Sequence, residues 1–363
     1  MRVAVATVSI VVVPAAAVCQ ALDRRVVDAG DGTVQFHFAA RTGVCGDGRG
    51  FFRVAESGYS SSYNVGSDGE DCGAGPVRVV LVRAGREIVR IESYAGPLAA
   101  DPDGGKDLGA VGAREAASYL LGLAATLDGR PAREAVTPAM LADSSVVTPE
   151  LLQLARDQSR SRDVRSIAIS WLARRRTESG GVGSDAAVHA LDALVRDHGE
   201  SESIRRTALS VLGNLDRGEG VPLLIGFAGD PDTWISRSAI QSLANAGDPR
   251  ARQYLRTQLQ RGGLPADVGA TVIRGVGNQY ATGADLQLLR GLYGRVDSDQ
   301  ERNAIISAVS SAGGAANIDW LLEIARSPTE TAARRRQAIS VLSRSGDPRV
   351  NDALKGMVEG SRP

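Results

Sequence analysis

The sequence predicts a mostly helical protein: an α-solenoid of stacked helical hairpins, preceded by a small antiparallel β module with one disulfide. Three observations predict it. The string "AIQSLANAGDPRARQYL" begins at Ala239, and "AISVLSRSGDPRVNDAL" begins 99 residues later at Ala338. The hydrophobic rhythm changes from period two before about residue 95 to period 3.6 after residue 110. Two cysteines, Cys45 and Cys72, lie inside the period-two region. With 363 residues the chain can bury a sizeable core and hold two modules. Aromatic residues make up only 4%, a composition suited to closely packed short helices.

The N-terminal string "MRVAVATVSIVVVPAAAVCQA" has one Arg, an apolar run from Val3 to Val13, then Pro14 and small residues. It is short for a membrane span and has the form of a secretory signal. Residues 1–21 are therefore expected to be a signal peptide cleaved after Ala21. The alternatives are a lipoprotein acylated at Cys19 and a buried N-terminal strand. Export makes the expected location periplasmic or extracellular, and no later segment has the length and apolarity of a transmembrane helix. In that compartment Cys45 and Cys72 read as a disulfide rather than two buried thiols. Closing about 27 residues, it would add roughly 3–4 kcal/mol by chain entropy.

Residues 22–98 form the expected β module, with period two from Val26 to about Tyr94. "TVQFHFAA" alternates Val34, Phe36 and Phe38 with Gln35, His37 and Ala39. "GFFRVAE" follows as a strand, and "PVRVVLVRAGREIVRIESY" as two strands around Ala84-Gly85-Arg86. The polar string "SGYSSSYNVGSDGED" between the cysteines reads as a loop. Residues 99–110 read as a linker rich in Gly, Pro and Asp. Residues 111–147 read as capping helices, with Ala116, Leu120, Leu123 and Leu127 at spacings of four, three and four.

From residue 148 to 358 short helices alternate with punctuation, and residues 359–363 form a tail. Thr148 is an expected N-cap with Pro149 at the first helical position. "GDP" at 247 and at 346 ends one helix with Gly, caps the next with Asp and starts it with Pro. A small residue followed by a bulky one, then Leu three residues on, starts at positions 168, 208, 239 and 338, with looser copies at 272 and 304. The steps are 40, 31, 33, 32 and 34 residues, and the long one contains the insertion "TESGGVGSD". One hairpin cannot hide its apolar side; a stack of like hairpins can.

These residues resemble HEAT repeats, including the HEAT-like class of bilin lyases. "DVRSIAISWL" (163–172) matches the Val-Arg-x-x-Ala core, and "SIRRTALSVL" (203–212) matches it with Ile204, Arg205 and Ala208. Ser236, Gly269 and Glu301 replace the motif Arg in later copies, and Arg335 restores it. The resemblance implies a binding surface along one helix of each pair. It also brings in repeat enzymes that hold iron through His-Glu pairs, and this chain contains no such dipeptide.

The sequence offers little chemistry. His37 lies in a predicted strand, and His189 and His198 are nine apart, which is not metal-ligand spacing. There is no His-Glu-x-x-His and no Gly-x-Ser-x-Gly. "DPDGGKD" (101–107) would need Glu at its twelfth position to be an EF-hand, and Gly112 stands there. "GVCGDGRG" (43–50) reads as a loop rather than an anion nest. No catalytic residue, metal or cofactor is expected. Acidic and basic residues balance at 42 each, so no strong net field favours nucleic acid or an anionic membrane, and no nucleic-acid partner is expected.

What remains is a surface. Arg206, Arg237, Arg302 and Arg336 each stand two residues before the motif's first position. On the exposed helices of a solenoid they would form a ladder for carboxylates of a partner, or pair with acids of adjacent repeats. Trp171, Trp234 and Trp320 are either interface anchors or packing residues. The expected function is a non-catalytic scaffold of a bacterial-type cell envelope, binding a protein or peptide along the concave face. The alternatives are an enzyme or small-ligand protein with a pocket between the β module and the first helices, and a structural spacer.

Overall fold

The computed structural model describes residues 15–54, 59–62, 72–98, 104–143, 148–173, 182–215 and 217–359. The chain divides into two compact units, residues 1–208 and 209–363. Residues 1–14 of the expected signal and the tail beyond Glu359 lie outside the described residues.

The first unit begins with α1 (Ala15–Asp28), followed by β1 (Gly32–Phe38), β2 (Val44–Gly46), β3 (Phe51–Val54), β4 (Tyr59–Ser62), β5 (Val77–Ala84), β6 (Glu87–Ala95) and β7 (Lys106–Ala110). The strands form a four-stranded sheet in the order β6-β5-β1-β7 and a three-stranded sheet β2-β3-β4. Cys45 on β2 is bonded to Cys72, as expected. The hairpin β5–β6 turns at Gly85-Arg86, also as expected.

Four expectations need correction. Period two was expected from Val26, but α1 runs through Asp28, so residues 26–28 are helical. Leu22 and Val26, four apart, are both fully buried on one helix face, and Arg83 Nη1 donates to the carbonyls of Val26, Val27 and Gly30 at 2.7–3.0 Å. A guanidinium at the helix C-terminus satisfies carbonyls that the helix itself leaves open. The expected cleavage point after Ala21 falls inside this helix. Second, residues 106–110 of the expected linker are strand β7, so the sheet is mixed: β7 pairs with β1 in parallel. An edge strand whose residues are half-buried or exposed shows no alternation, which is why it read as linker. Third, Tyr59–Ser62, within the expected loop between the cysteines, pairs with β3. Fourth, residues 44–46 of "GVCGDGRG", a string expected to be a loop, are strand β2; residues 101–103 of "DPDGGKD" lie outside the described residues.

Two helices follow, α2 (Ala113–Thr126) and α3 (Gly129–Met140). Ala116, Leu120 and Leu123 are buried, and the Tyr119 ring meets Phe36 of β1 edge-on at 6.3 Å. α3 packs on β6 and on the helix after next. An isolated bridge joins Ala40 to Ala142, and Arg41 N donates to Leu141 O at 2.8 Å. Apolar side chains thus join sheet and first helices.

The repeats then run as α4 (Thr148–Arg156), α5 (Arg162–Ala173), α6 (Val182–Arg196), α7 (Glu202–Gly213), α8 (Val221–Phe227), α9 (Thr233–Asn245), α10 (Pro249–Arg261), α11 (Ala266–Val276), α12 (Gly283–Leu292), α13 (Asp299–Ala312), α14 (Ala315–Arg326), α15 (Ala332–Leu342) and α16 (Pro348–Glu359). The motif sits on the odd-numbered helices from α5 to α15, the second of each hairpin. Its small-bulky pairs are buried at Ala168/Ile169, Ala208/Leu209, Ala239/Ile240, Val272/Ile273 and Ala304/Ile305, and Ala338 is buried with Ile339 half-buried beside it. Caps follow the expected chemistry. Asp248 and Asp347 accept from the N–H of Arg250 and Arg349 at 2.7 and 2.9 Å. In the second unit α9, α11, α13 and α15 stack in succession, each against its hairpin partner.

The motif Arg clasps its own hairpin. Arg165 Nε donates to Ala155 O at 3.0 Å, and Arg205 Nε to Val195 O at 2.9 Å, each ten residues back at the end of the preceding helix. Where the motif Arg is missing, other groups reach the same place. Ser236 Oγ donates to Ala228 O at 2.7 Å, and Arg302 Nε to Tyr293 O at 3.3 Å.

Candidate binding cleft on the second-helix face

The register that predicted an arginine ladder is real in the sequence, but the side chains in it have different partners. Arg206 is exposed on α7, in the first unit. In the second unit Arg237 pairs with Asp267 of the next repeat. Arg302 serves as the hairpin clasp, and Arg336 Nε donates to Ala332 O of its own helix at 3.2 Å. The tryptophans are packing residues to different degrees. Trp171 is fully buried under the Arg41 guanidinium, Trp320 meets Tyr293 edge-on at 5.2 Å, and Trp234 is half-buried. His189 and His198 are exposed, and His37 is half-buried on β1.

Acid–base pairs link successive repeats throughout. In the first unit Arg165 also pairs with Glu200, both buried. In the second, Arg256 pairs with Asp285, Arg334 with Asp299, and Arg349 with Asp319 at 2.9 Å. Burial pushes the Asp285 carboxyl up, but hydrogen bonds from Arg256 and Thr282 outweigh it and hold the group below its ordinary range.

One place on the second-helix face is organised otherwise. Between α9 and α11 lies a cleft of about 310 Å³, lined by Gln241, Ala244, Asn245, Thr271, Arg274, Gly275, Asn278, Gln279 and Tyr280. Its floor is Ala244 and Gly275. A Cβ added to Gly275 would stand 2.6 Å from Ala244 Cβ, so only glycine lets the helices approach this closely. Its walls are polar: Gln241 Nε2 donates to Asn245 Oδ1 at 3.3 Å, and Arg274 Nη2 to Thr271 Oγ1 at 3.0 Å. Its rim is the turn after α11. There Asn278 Nδ2 donates to Ala244 O at 3.3 Å while its Oδ1 accepts from Tyr280 N at 3.0 Å. This places the Tyr280 ring against the backbone of Gly247, with 47% of the residue exposed.

No carboxylate, His or Cys is among these lining residues. Among the described residues no three His, Cys, Asp or Glu side chains gather closely enough to hold a metal ion. The cleft can therefore donate and accept hydrogen bonds and attract an anion. It was not expected from the sequence. The available signal was a departure from the repeat: two positions after the small residue, Ser170, Ser210 and Ser340 give way to Gln241 and Arg274, and the next position is Gly275 where the first repeat has Trp171.

Comparison with known proteins decides the repeat type. Residues 187–265 match the family profile of HEAT repeats. The hairpins of that stretch, from α6 to α10, are HEAT-like repeats. Solved structures that match this chain include the complex of CpcE and CpcF of phycocyanin lyase from Nostoc sp. PCC7120, at 20% identity, covering 60% of this chain and 89% of that chain with a TM-score of 0.35. An engineered protein matches at 15% identity over 55% of this chain and 98% of its own, with a TM-score of 0.33. Human deoxyhypusine hydroxylase in complex with glycerol matches at 16% identity over 68% of this chain and 92% of its own, with a TM-score of 0.28. At these levels neither lyase nor hydroxylase activity transfers to this HEAT-like protein. No curated protein sequence matches it.

Proposed function

We propose that this protein is an exported, non-catalytic scaffold that binds a protein or peptide along the face of its second helices. The carrying observation is the α9–α11 cleft, whose walls offer amides, hydroxyls, a guanidinium and an aromatic ring, and whose lining holds no carboxylate, His or Cys. A surface built on rigid helices is preformed, so binding costs little ordering entropy. The exposed Arg206 and Arg336 stay candidate contacts for partner carboxylates, whereas Arg237 pairs with Asp267 and Arg302 is drawn in to clasp its own hairpin. The competing small-ligand site between sheet and first helices has less support, because Phe36, Phe38, Tyr119 and Leu120 are buried there.

The test is a photocrosslinking comparison. A benzophenone side chain replaces Ser307, exposed on the second helix α13, or Gln253, exposed on the first helix α10. Envelope extract is then irradiated with each protein. Discrete crosslinked species are expected from the Ser307 position and few from Gln253. Equal yields, or none from Ser307, would count against a binding face.

A further inference from the structure

We propose that the α9–α11 cleft is a subsite for an extended peptide segment carrying a carboxylate side chain. This deepens the scaffold reading and rests on it. The argument begins with Arg274. It is exposed, its guanidinium is steered by Thr271 Oγ1, and among the described residues no carboxylate pairs with it. That sets it apart from Arg237, Arg256, Arg334 and Arg349 of the same unit, each of which holds an acid. A guanidinium bonded through one N–H still presents donors in the fork geometry that matches a carboxylate. The cleft lining contains no acid to repel one.

The rest of the cleft specifies what carries the carboxylate. Gln241, Asn245 and Gln279 each bring an amide with a donor and an acceptor, the pairing that a peptide group in extended chain presents in return. Tyr280 is seated on Gly247 with nearly half of its surface exposed, so it offers a rigid apolar surface to a neighbouring side chain at small entropic cost. About 310 Å³ suits a side chain with its flanking backbone rather than a folded surface. A nucleic acid is the less suitable anion. The cleft holds one guanidinium and the whole chain balances 42 acidic against 42 basic residues, whereas phosphate backbones are bound by many cations acting together.

The experiment is selection of a random linear dodecapeptide phage library on the full chain, in parallel with the R274A and R274E variants. Because Arg274 is exposed, both should fold, and circular dichroism checks this. Enrichment of peptides with a fixed Asp or Glu is expected. R274A should weaken their binding by about tenfold, the loss of one charge-assisted hydrogen-bonded pair. R274E should remove the acidic preference. T271V, which frees the guanidinium without deleting it, should weaken binding less than R274A. Enriched peptides that lack an acid, or that bind R274A undiminished, would overturn the subsite while leaving the scaffold reading standing. Failure to enrich any peptide would count against both. Arg274-dependent binding of a dT12 oligonucleotide in place of peptide would overturn the assignment in favour of nucleic acid.

Discussion

The buried pair Arg165–Glu200 is the sharpest test of how the repeats are joined. The two side chains are only 6% and 4% exposed. Arg165 Nη1 lies 3.1 Å from Glu200 Oε1, and its Nε is bonded to Ala155 O. Glu200 Oε1 also accepts from Ser201 N at 2.8 Å. Truncating Glu200→Ala leaves a guanidinium buried with a single carbonyl partner. Breaking a buried pair on one side costs about 3–5 kcal/mol. With a urea slope of about 2–3 kcal/mol/M, the midpoint of the first unit should fall by about 1–2 M. The double variant Arg165→Met/Glu200→Leu removes both charges and fills the space, losing the bonds to Ala155 O and from Ser201 N, about 1 kcal/mol each. It should therefore be more stable than E200A, by urea titration followed with far-ultraviolet circular dichroism. A pH series adds a sign. Burial raises the Glu200 pKa, but bonds from Arg165 and Ser201 outweigh it, so the group sits below its ordinary range. A lowered pKa means stability that is present above about pH 4.3 and lost as pH falls through the folded value. That acid-side loss should shrink in E200A. If E200A shifts the midpoint by less than about 0.3 M, or the double variant is as unstable as the two single changes combined, the pair does not hold the repeats together as argued.

Other perturbations probe other levels. Gly275→Leu pushes a side chain into Ala244 and should cost about 1–3 kcal/mol while closing the cleft, read by a urea melt and by loss of selected peptides. Replacing Cys45 and Cys72 with Ser frees a loop of 27 residues and should cost about 3–4 kcal/mol; a urea midpoint indifferent to reductant in the native protein would contradict this. Arg83→Met takes the cation from the end of α1 and strands its carbonyls, at about 2–3 kcal/mol; faster proteolysis within residues 15–30 is the expected readout.

Much of the architecture was legible in the residues. A small-bulky pair recurring near every 33 residues reports buried helix faces directly, because each copy faces the same environment in its neighbour. The Asp-Pro caps and the β5–β6 turn are local, and local chemistry is written locally. Strand β7 and the helix through Asp28 were not legible. The first is defined by a partner, β1, some seventy residues away. The second is held by Arg83 of β5, 57 residues away in the chain.

The site divides along the same line. By itself, the sequence determined a row of HEAT-like hairpins, a stapled β module in front, and arginines standing in one register. Only tertiary structure decided which of those arginines already hold an acid, and that Arg274, outside the register, holds none. A cation's availability depends on what lies across the gap to the next repeat, roughly thirty residues on, and helical periodicity carries no record of that distance.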